Sequence, residues 1–198
     1  LPNEKKFIFT EGINYFETSK KPIWGTGDKF TIEILRKIEI HGKWLNLAAG
    51  DGRYNSILLR KADSVVASDI DGSALSKLWN ITPEKLRTKL STEIFNLTNK
   101  FPFENNSFDG VFCTGTLHLF PIQIFKKIAA EIDRVLKPNG RIIIDFAAGV
   151  RRISPEGKLV IFGDEPCYKL SEARVLLKDL FRKYEFQMHT SEVPEEDF

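Results

Sequence analysis

Apolar and polar positions alternate between two kinds of segment along most of the chain. Helical stretches lie between short apolar runs, and the clearest helix covers Pro121–Leu136, where apolar residues recur every three or four positions. Segments that alternate in this way predict an α/β domain with a mostly parallel sheet. The runs typical of buried strands are Lys43–Ala48, Ser64–Ser68, Thr92–Phe95, Ser107–Thr114 and Arg141–Ala147.

Helix-breaking and capping residues set the expected limits of these elements. Proline and glycine within Lys137–Gly140 are expected to end the long helix before the fifth strand. The continuous apolar residues Ile142–Ile144 fit a strand buried on both faces. Asp71 is expected to cap the helix after the second strand. Near the end of the sequence we expect a helix over Ser171–Phe181 and a sixth strand over Tyr184–Ser191.

The start of the chain has a different character. Residues 1–30 are rich in aromatic and turn residues, which favours an N-terminal lid or packing arm. Tyr15 and Trp24 are candidates for closing over a ligand, and an equally good interpretation is that their rings pad the sheet edge. A short helix is expected to begin near Asp28.

Composition and charge narrow the class of protein. The chain has 198 residues, of which 42% are apolar and 28% charged, as in an ordinary single globular domain. No apolar run approaches the ~20 residues that span a bilayer, and the first residues lack a signal-peptide core. A net charge of +2 gives no global reason to expect nucleic acid as a partner. Two cysteines cannot form a disulfide framework or a usual metal cluster, so we expect no metal and a reducing, cytoplasmic setting.

The most informative stretch is Trp44–Tyr54, where a strand ends in small residues, Gly50 and Gly52 follow, and a helix begins. Small residues let a ligand approach the backbone, and the N–H groups of a helix start favour a negatively charged ligand group. Asp69 stands 19 residues after Gly50, at the end of the second strand, where an acid can bind ribose hydroxyls. The combination favours a nucleoside-containing ligand. The alternative is an ordinary tight turn between a strand and a helix.

Four stretches in the same order cover about half of the chain: LNLAAGDG at Leu45–Gly52, ASDIDGSAL at Ala67–Leu75, the PF and SFD segments within Phe95–Phe120, and LKPNGRIII at Leu136–Ile144. Together they resemble the motifs of class I S-adenosylmethionine (SAM) dependent methyltransferases. The resemblance implies a single domain over residues 1–198, with a Rossmann-like, doubly wound, mostly parallel seven-stranded sheet and helices on both faces. It also implies SAM as the cofactor.

The sequence accounts for six strands of that sheet. We therefore expect the last strand either beyond residue 198 or at Leu159–Phe162, where an edge role is the alternative. The chain begins with Leu1 rather than with methionine, which fits the same expectation of a trimmed sequence.

The resemblance implies a binding role for each matching residue. The glycine loop would line the methionine part of SAM with four small residues: Ala48, Ala49, Gly50 and Gly52. The adenosine part would meet the ends of the second and third strands: Asp69 on the ribose hydroxyls, Ile70 against adenine, Asn96 at the amino group and the Leu97 backbone at the ring nitrogens. Thr114, at the end of the fourth strand, would lie near the sulfonium.

Three positions depart from the family pattern. Asn46 stands where the family usually has an acid, Ala48 where it has its first glycine, and Asn96 where an aspartate is common. Alanine keeps the turn if its φ is negative. The carbonyl of Asn96 can still accept a hydrogen bond from the adenine amino group. The missing charge at Asn46 removes an attraction to the ammonium group of the cofactor.

Methyl transfer from a sulfonium is an in-line displacement, so positioning the acceptor and excluding water matter most. A general base is needed only if the acceptor must lose a proton. His118, just after the fourth strand, is the candidate base, and the more frequent alternative is a histidine that packs beside the cofactor loop. Cys113 is expected in the core. Arg151 and Arg152 would hold an anionic substrate or form a solvated surface pair.

The acceptor is the least readable part of the site. Amide and adenine N-methyltransferases usually carry an N/D-P-P-Y/F segment where this chain has residues Cys113–Thr116, so a small-molecule acceptor is expected. A nucleic-acid or protein substrate stays open, as does the oligomeric state. An NAD(P)-dependent oxidoreductase is disfavoured because Arg53 stands where the third glycine of G-x-G-x-x-G would fall. A non-catalytic SAM-binding protein or subunit remains an alternative.

Overall fold

The computed structural model describes residues 29–154, 156–160 and 165–192. The predicted N-terminal arm, with Tyr15 and Trp24, lies outside these residues apart from its last two positions. The described helices are α1 (Lys29–Lys37), α2 (Asn55–Lys61), α3 (Gly72–Ile81), α4 (Glu84–Arg87), α5 (Ile122–Val135) and α6 (Leu170–Leu180), with a 3₁₀-helix at Leu117–Leu119. The strands are β1 (Lys43–Leu47), β2 (Ser64–Asp69), β3 (Leu90–Ile94), β4 (Phe108–Cys113), β5 (Leu136–Ile144), β6 (Arg152–Ile153) and β7 (Leu159–Val160).

Five strands form one parallel sheet in the order β3-β2-β1-β4-β5. The chain builds outward from β1 to β3 and then crosses to the other side of β1 with β4. This reversal is the hallmark of a doubly wound, Rossmann-like sheet, so the predicted fold class is confirmed. Among the described residues the sheet has five strands rather than seven.

Both faces of the sheet are covered, because successive side chains of a strand point to opposite sides. Leu45 and Leu47 pack into an apolar cluster with α5 and α6. Trp44, on the other face, packs into a second cluster with α1, α2 and α3. Gly110 of β4 makes room for this ring, since a Cβ there would lie 2.3 Å from the indole of Trp44. The site is thus carried by a sheet held from both sides.

The long helix is confirmed, and it ends at Val135, before Lys137–Gly140, as predicted. Its buried side chains are the predicted apolar stripe, including Phe125, Ile128 and Ile132. β5 begins earlier than expected, since Leu136 already pairs with Phe108, and the next pair joins Gly110 to Arg141. The pairing with β4 shifts register between Phe108 and Gly110, which accommodates the extra residues as a bulge.

Two expectations about the strands were wrong. Ile142–Ile144 is only half buried, because β5 is the outer strand of the described sheet. Residues 184–191 form no strand, and most of their side chains are exposed. Strand geometry needs a neighbour for its backbone groups, and none of the described strands pairs with this segment. Leu159–Val160 pairs with Arg152–Ile153 in a separate antiparallel hairpin instead of joining the main sheet.

Local signals placed the remaining elements well. Asp71 caps α3 as predicted, since its Oδ1 accepts hydrogen bonds from the N–H groups of Ser73 at 2.8 Å and Ala74 at 3.4 Å. The C-terminal end of α1 is held by Lys61, whose Nζ donates to the carbonyls of Leu35 and Ile38. Within the described ranges, no helix combines the length and the apolar character that crossing a membrane requires.

Candidate functional site

The segments that the sequence singled out meet at one edge of the sheet. In a doubly wound sheet, ligands bind outside the carboxyl ends of the strands, where the strand order reverses. That point lies between β1 and β4, so the crevice there is bordered by the glycine loop and by the turn at Thr114. Asp69 at the end of β2 and Asp145 just after β5 flank it on either side.

The glycine loop takes an unusual backbone path. Ala48, Gly50 and Gly52 have φ angles of +49°, +54° and +91°, all in the left-handed region. The N–H of Ala49 donates to the carbonyl of Ser68 at 2.8 Å and ties the loop to β2. Ala48 therefore does not meet the condition of a negative φ under which alanine keeps this turn without strain. Its Cβ sits in a conformation that costs roughly 1–2 kcal/mol in an L-residue.

The two glycines of the loop serve different purposes. A Cβ at Gly52 would lie 2.7 Å from Cγ of Leu78, so glycine lets the loop pack tightly on α3. A Cβ at Gly50 would meet no atom of the described residues within 4 Å, so none of these residues covers this side of the loop. The same is true of Gly115 after β4, which has a φ of +65°. The crevice is therefore lined by bare backbone on both sides, which suits close approach of a ligand.

Asp69 occupies the predicted place and also organises the crevice. One carboxylate oxygen accepts the N–H of Gly50 at 2.8 Å, and the other accepts the N–H of Asp71 at 2.9 Å. Burial raises the pKa of this carboxyl group, and the hydrogen bonds from Asp71 and Gly50 partly oppose the rise. Because each carboxylate oxygen has two lone pairs, both can accept a further hydrogen bond from a ligand hydroxyl.

Beneath the loop, Asn46 contacts a residue that the sequence did not single out. Its Nδ2 donates to Oδ1 of Asn55 at 3.3 Å, and the two side chains are 3% and 2% exposed. Nδ2 of Asn55 is buried and has no acceptor among the described residues. The family position of an acid is therefore filled by a neutral amide pair. No short-range pattern connects these two residues, which are nine positions apart, so only the fold reveals their contact.

The residues predicted for adenine lie at the ends of β2 and β3. Ile70 and Asn96 are half buried, whereas Leu97 is 8% exposed and packs into the core beside α5. Oδ1 of Asn96 accepts hydrogen bonds from both the N–H and the hydroxyl of Thr98, each at 2.9 Å. The carbonyl expected to meet the adenine amino group thus holds a turn in this structure. The role of Asn96 towards adenine stays a prediction.

His118 lies beside the crevice in a tightly packed setting. It belongs to the 3₁₀-helix after β4, is 5% exposed, and its ring lies edge-on to Phe146 with centroids 6.2 Å apart. Tyr168 fixes this region from outside, since its ring lies 5.2 Å from Phe146 and its hydroxyl donates to the carbonyl of Phe120. The packing supports the alternative of a structural histidine and leaves the catalytic role as a prediction.

Asp145 is a second residue that sequence reasoning missed. Its Oδ1 accepts the N–H of Gly115 at 2.7 Å, while its own N–H donates to the carbonyl of Cys113. It therefore links the end of β5 to the turn that carries Thr114, which is half buried at the end of β4. Its position directly after the most apolar strand was the available signal.

The remaining candidates are Cys113, Arg151 and Arg152. Cys113 is fully buried in β4, and burial raises the pKa of its thiol far above the ordinary range, so the expected core role is confirmed. Arg151 is exposed after β5, as in the solvated alternative. Arg152 contributes its backbone to the β6–β7 hairpin.

The fold is a Rossmann-like, doubly wound domain whose strand order reverses between β1 and β4. The family described as "Methyltransferase domain" matches residues 45–144, which is just over half of the sequence. The chain therefore belongs to the methyltransferase domain family. The recognition made from the four motifs is confirmed, and the oxidoreductase alternative is excluded at the level of the family.

Solved structures share this fold at low sequence identity. The DhpI-SAM-HEP complex has a TM-score of 0.58 and 21% identity, and the match covers 76% of this chain and 74% of that one. A phosphoethanolamine N-methyltransferase of Haemonchus contortus, solved with phosphoethanolamine and S-adenosylhomocysteine, has a TM-score of 0.60 and 17% identity over 74% and 32% of the chains. These similarities establish the class I methyltransferase fold.

One relative of known sequence is closer in identity but short in coverage. An uncharacterized protein of Haemophilus influenzae is 41% identical over 76 residues, which are 38% of this chain and 30% of that protein. The matched part thus spans less than a third of the relative's length.

Proposed function

We propose that this chain binds SAM at the carboxyl ends of β1, β2 and β4 and transfers its methyl group to an acceptor. The observation that carries the proposal is the position of Asp69. Its carboxylate joins the glycine loop to the β2–α3 turn at the switch point, in a chain of the methyltransferase domain family. An acid at this place can accept hydrogen bonds from both ribose hydroxyls.

The residues present fit such a ligand. The left-handed loop at Ala48–Gly52 offers bare backbone to the methionine part, with no described residue above Gly50. Ile70 offers an apolar side chain beside Asp69 for the adenine ring. SAM supplies a methyl group on a positively charged sulfur, which leaves as a neutral thioether. The chain's own task is to hold the acceptor in line with that methyl group and to exclude water, by which proximity lowers the barrier.

A small molecule is the acceptor class that the chain favours. The turn after β4 has a glycine and two threonines where adenine and amide methyltransferases usually carry a proline-rich segment. Gly115 leaves space above this turn. The similar Haemonchus contortus enzyme is solved with phosphoethanolamine, a small acceptor. A methyl-release assay against a panel of metabolites tests this class, with RNA and protein fractions as the competing arms. SAM binding without turnover in any arm would instead support a non-catalytic SAM-binding protein.

His118 is the proposed general base for an acceptor that must lose a proton. We expect His118→Asn, which preserves most of the volume but accepts no proton near neutrality, to lower turnover by about 100-fold. The dissociation constant of S-adenosylhomocysteine should stay the same, because His118 is assigned no contact with the cofactor. Steady-state kinetics on the identified acceptor and calorimetric titration measure the two effects.

His41→Ala is the matched control, because His41 is exposed before β1, at the opposite edge of the sheet. It should leave both turnover and cofactor binding unchanged. Equal turnover in His118→Asn and the wild type would make His118 a packing residue. Loss of cofactor binding in His118→Asn would point to the same conclusion.

A further inference from the structure

Among the described residues, three contacts that hold the strained glycine loop come from one neighbouring unit, β2 and α3. The N–H of Ala49 donates to Ser68 of β2, and the N–H of Gly50 donates to Asp69 at its end. Gly52 packs directly on Leu78 of α3. The position of the loop therefore depends on how firmly it is attached to this unit.

An ion pair adds to these attachments. Nζ of Lys77, on α3, lies 3.0 Å from Oδ2 of Asp51, which stands between the two loop glycines. The side chains are only 19% and 11% exposed, so the pair is largely screened from solvent. Removing one member of such a pair leaves the other charge partly buried without its counter-ion, which is far more costly than losing an exposed surface pair.

We infer that Asp51 and Lys77 are a positioning pair for the cofactor, an inference that rests on the proposed function. The helix that holds Lys77 begins directly after the turn of Asp69, the proposed ribose ligand. The ion pair thus fixes the distance between the loop proposed for the methionine part and the acid proposed for the ribose. The pair acts through the loop backbone and is not assigned a contact with the cofactor.

The test compares two ligands that differ at one end. S-adenosylhomocysteine carries the amino-acid tail that the loop would hold, and 5′-methylthioadenosine lacks it. We expect Asp51→Asn and Lys77→Met each to weaken the affinity for S-adenosylhomocysteine about tenfold. The affinity for 5′-methylthioadenosine should change by less than about twofold. Lys77→Arg, which keeps the charge, should recover most of the affinity. Calorimetric titration measures both ligands in every variant.

The double variant and a matched control make the result specific. Asp51→Asn with Lys77→Met should cost no more affinity than the worse single change, because neither charge is then left alone. Lys137→Met is the control. It removes a 2.8 Å ion pair with Asp109, which lies near the start of β4 away from the crevice, and should leave both affinities unchanged.

Three outcomes overturn the inference, and one separates it from the proposed function. Unchanged affinity for S-adenosylhomocysteine in both single variants would reduce the pair to a stability feature, and so would equal weakening of both ligands. Strictly additive losses in the double variant would show that the two residues act independently. If the wild type binds neither ligand, the proposed function itself fails. Thermal unfolding of each variant confirms that the protein titrated is folded.

Discussion

Ala48 has a strained backbone φ angle within the candidate site. Three of the five residues from 48 to 52 have a positive φ, and two of them are glycines that take this conformation without strain. Ala48 does the same with a Cβ. The loop is therefore built at a cost, which its bonds to Ser68 and Asp69 offset. Strain held in place by surrounding contacts is common where a backbone must present itself to a ligand.

Replacement of Ala48 by glycine should stabilise the protein. Removing the Cβ relieves about 1–2 kcal/mol of left-handed strain, while the greater freedom of glycine in the unfolded chain returns about half of that gain. We expect a net increase of about 0.5–1 kcal/mol in the free energy of unfolding, measured by urea denaturation. Ala62→Gly is the control. Ala62 is fully buried with a φ of −71°, so the same change there should destabilise. Destabilisation at Ala48 as well would show that its φ is not strained.

The raised pKa of Asp69 predicts how cofactor affinity depends on pH. Burial favours the protonated acid, so without a ligand the pKa of the Asp69 carboxyl group lies above its ordinary value of 3.8. Ribose hydroxyls donate to the carboxylate, so binding favours the deprotonated form. Affinity for S-adenosylhomocysteine should therefore fall on acidification from about pH 7.5 to about pH 4.5. Asp69→Asn should bind weakly with little pH dependence across the same range, and a steep pH dependence in this variant would assign the effect to another group.

At the scale of elements, two side chains of α5 hold the long segment between β3 and β4 by hydrogen bonds. Arg134 donates to the carbonyls of Phe101 and Phe103 and to Oδ1 of Asn105. It also forms a bidentate ion pair with Glu131, whose carboxylate accepts a hydrogen bond from the N–H of Phe101. The PF and SFD segments, which carried much of the family resemblance, are thus ordered by one helix turn. The sequence predicted this helix clearly, but it did not predict which residues its polar side chains contact.

Removal of the Arg134 side chain should weaken the attachment of this segment to α5 and destabilise the protein. Arg134→Met leaves the carbonyls of Phe101 and Phe103 without their donor and Glu131 without its counter-ion. We expect a loss of roughly 2 kcal/mol in the free energy of unfolding by urea denaturation. Arg141→Met is the matched control, because Arg141 donates to the carbonyl of Glu39 in an exposed position and should cost less than about 0.5 kcal/mol. Similar losses in both variants would contradict a special role for Arg134.

The ion pair of Arg134 with Glu131 also predicts how the free energy of unfolding depends on pH. The hydrogen bond from Arg134 holds the pKa of Glu131 below its ordinary value of 4.5. A carboxyl group with a depressed pKa stabilises the folded state above that ordinary value, and the contribution is lost as the pH falls through the folded pKa. The stability gap between wild type and Arg134→Met should therefore narrow below about pH 4.5. A gap that is constant with pH would mean that the ion pair contributes nothing.

At the scale of the whole molecule, predictions succeeded where local signals determine the structure. Asp71 caps its helix and Asp69 ends its strand, because capping and strand ends are written in a few neighbouring residues. The α/β class followed from the alternation of apolar runs. Sequence failed where the outcome depends on a distant partner. Residues 184–191 pair with no described strand, although β5 lies at the edge of the described sheet.

The candidate site divides in the same way. The glycine loop and Asp69 were visible because their order and spacing match a strand–loop–helix unit. The Asn46–Asn55 contact and the ion pair of Asp51 with Lys77 arise from packing between different elements, not from a local sequence pattern. The φ of Ala48 also depends on that packing, since the loop follows the path that β2 and α3 impose.

Calorimetric titration of the intact chain with S-adenosylhomocysteine tests the central claim most directly. We predict saturable one-to-one binding, weakened at least tenfold in Asp69→Ala because the ribose hydroxyls and the N–H of Gly50 lose their acceptor. NADH, titrated in parallel, should bind more weakly. Absence of binding at about millimolar ligand would contradict a SAM site in this crevice, and so would equal affinity in Asp69→Ala or tighter binding of NADH.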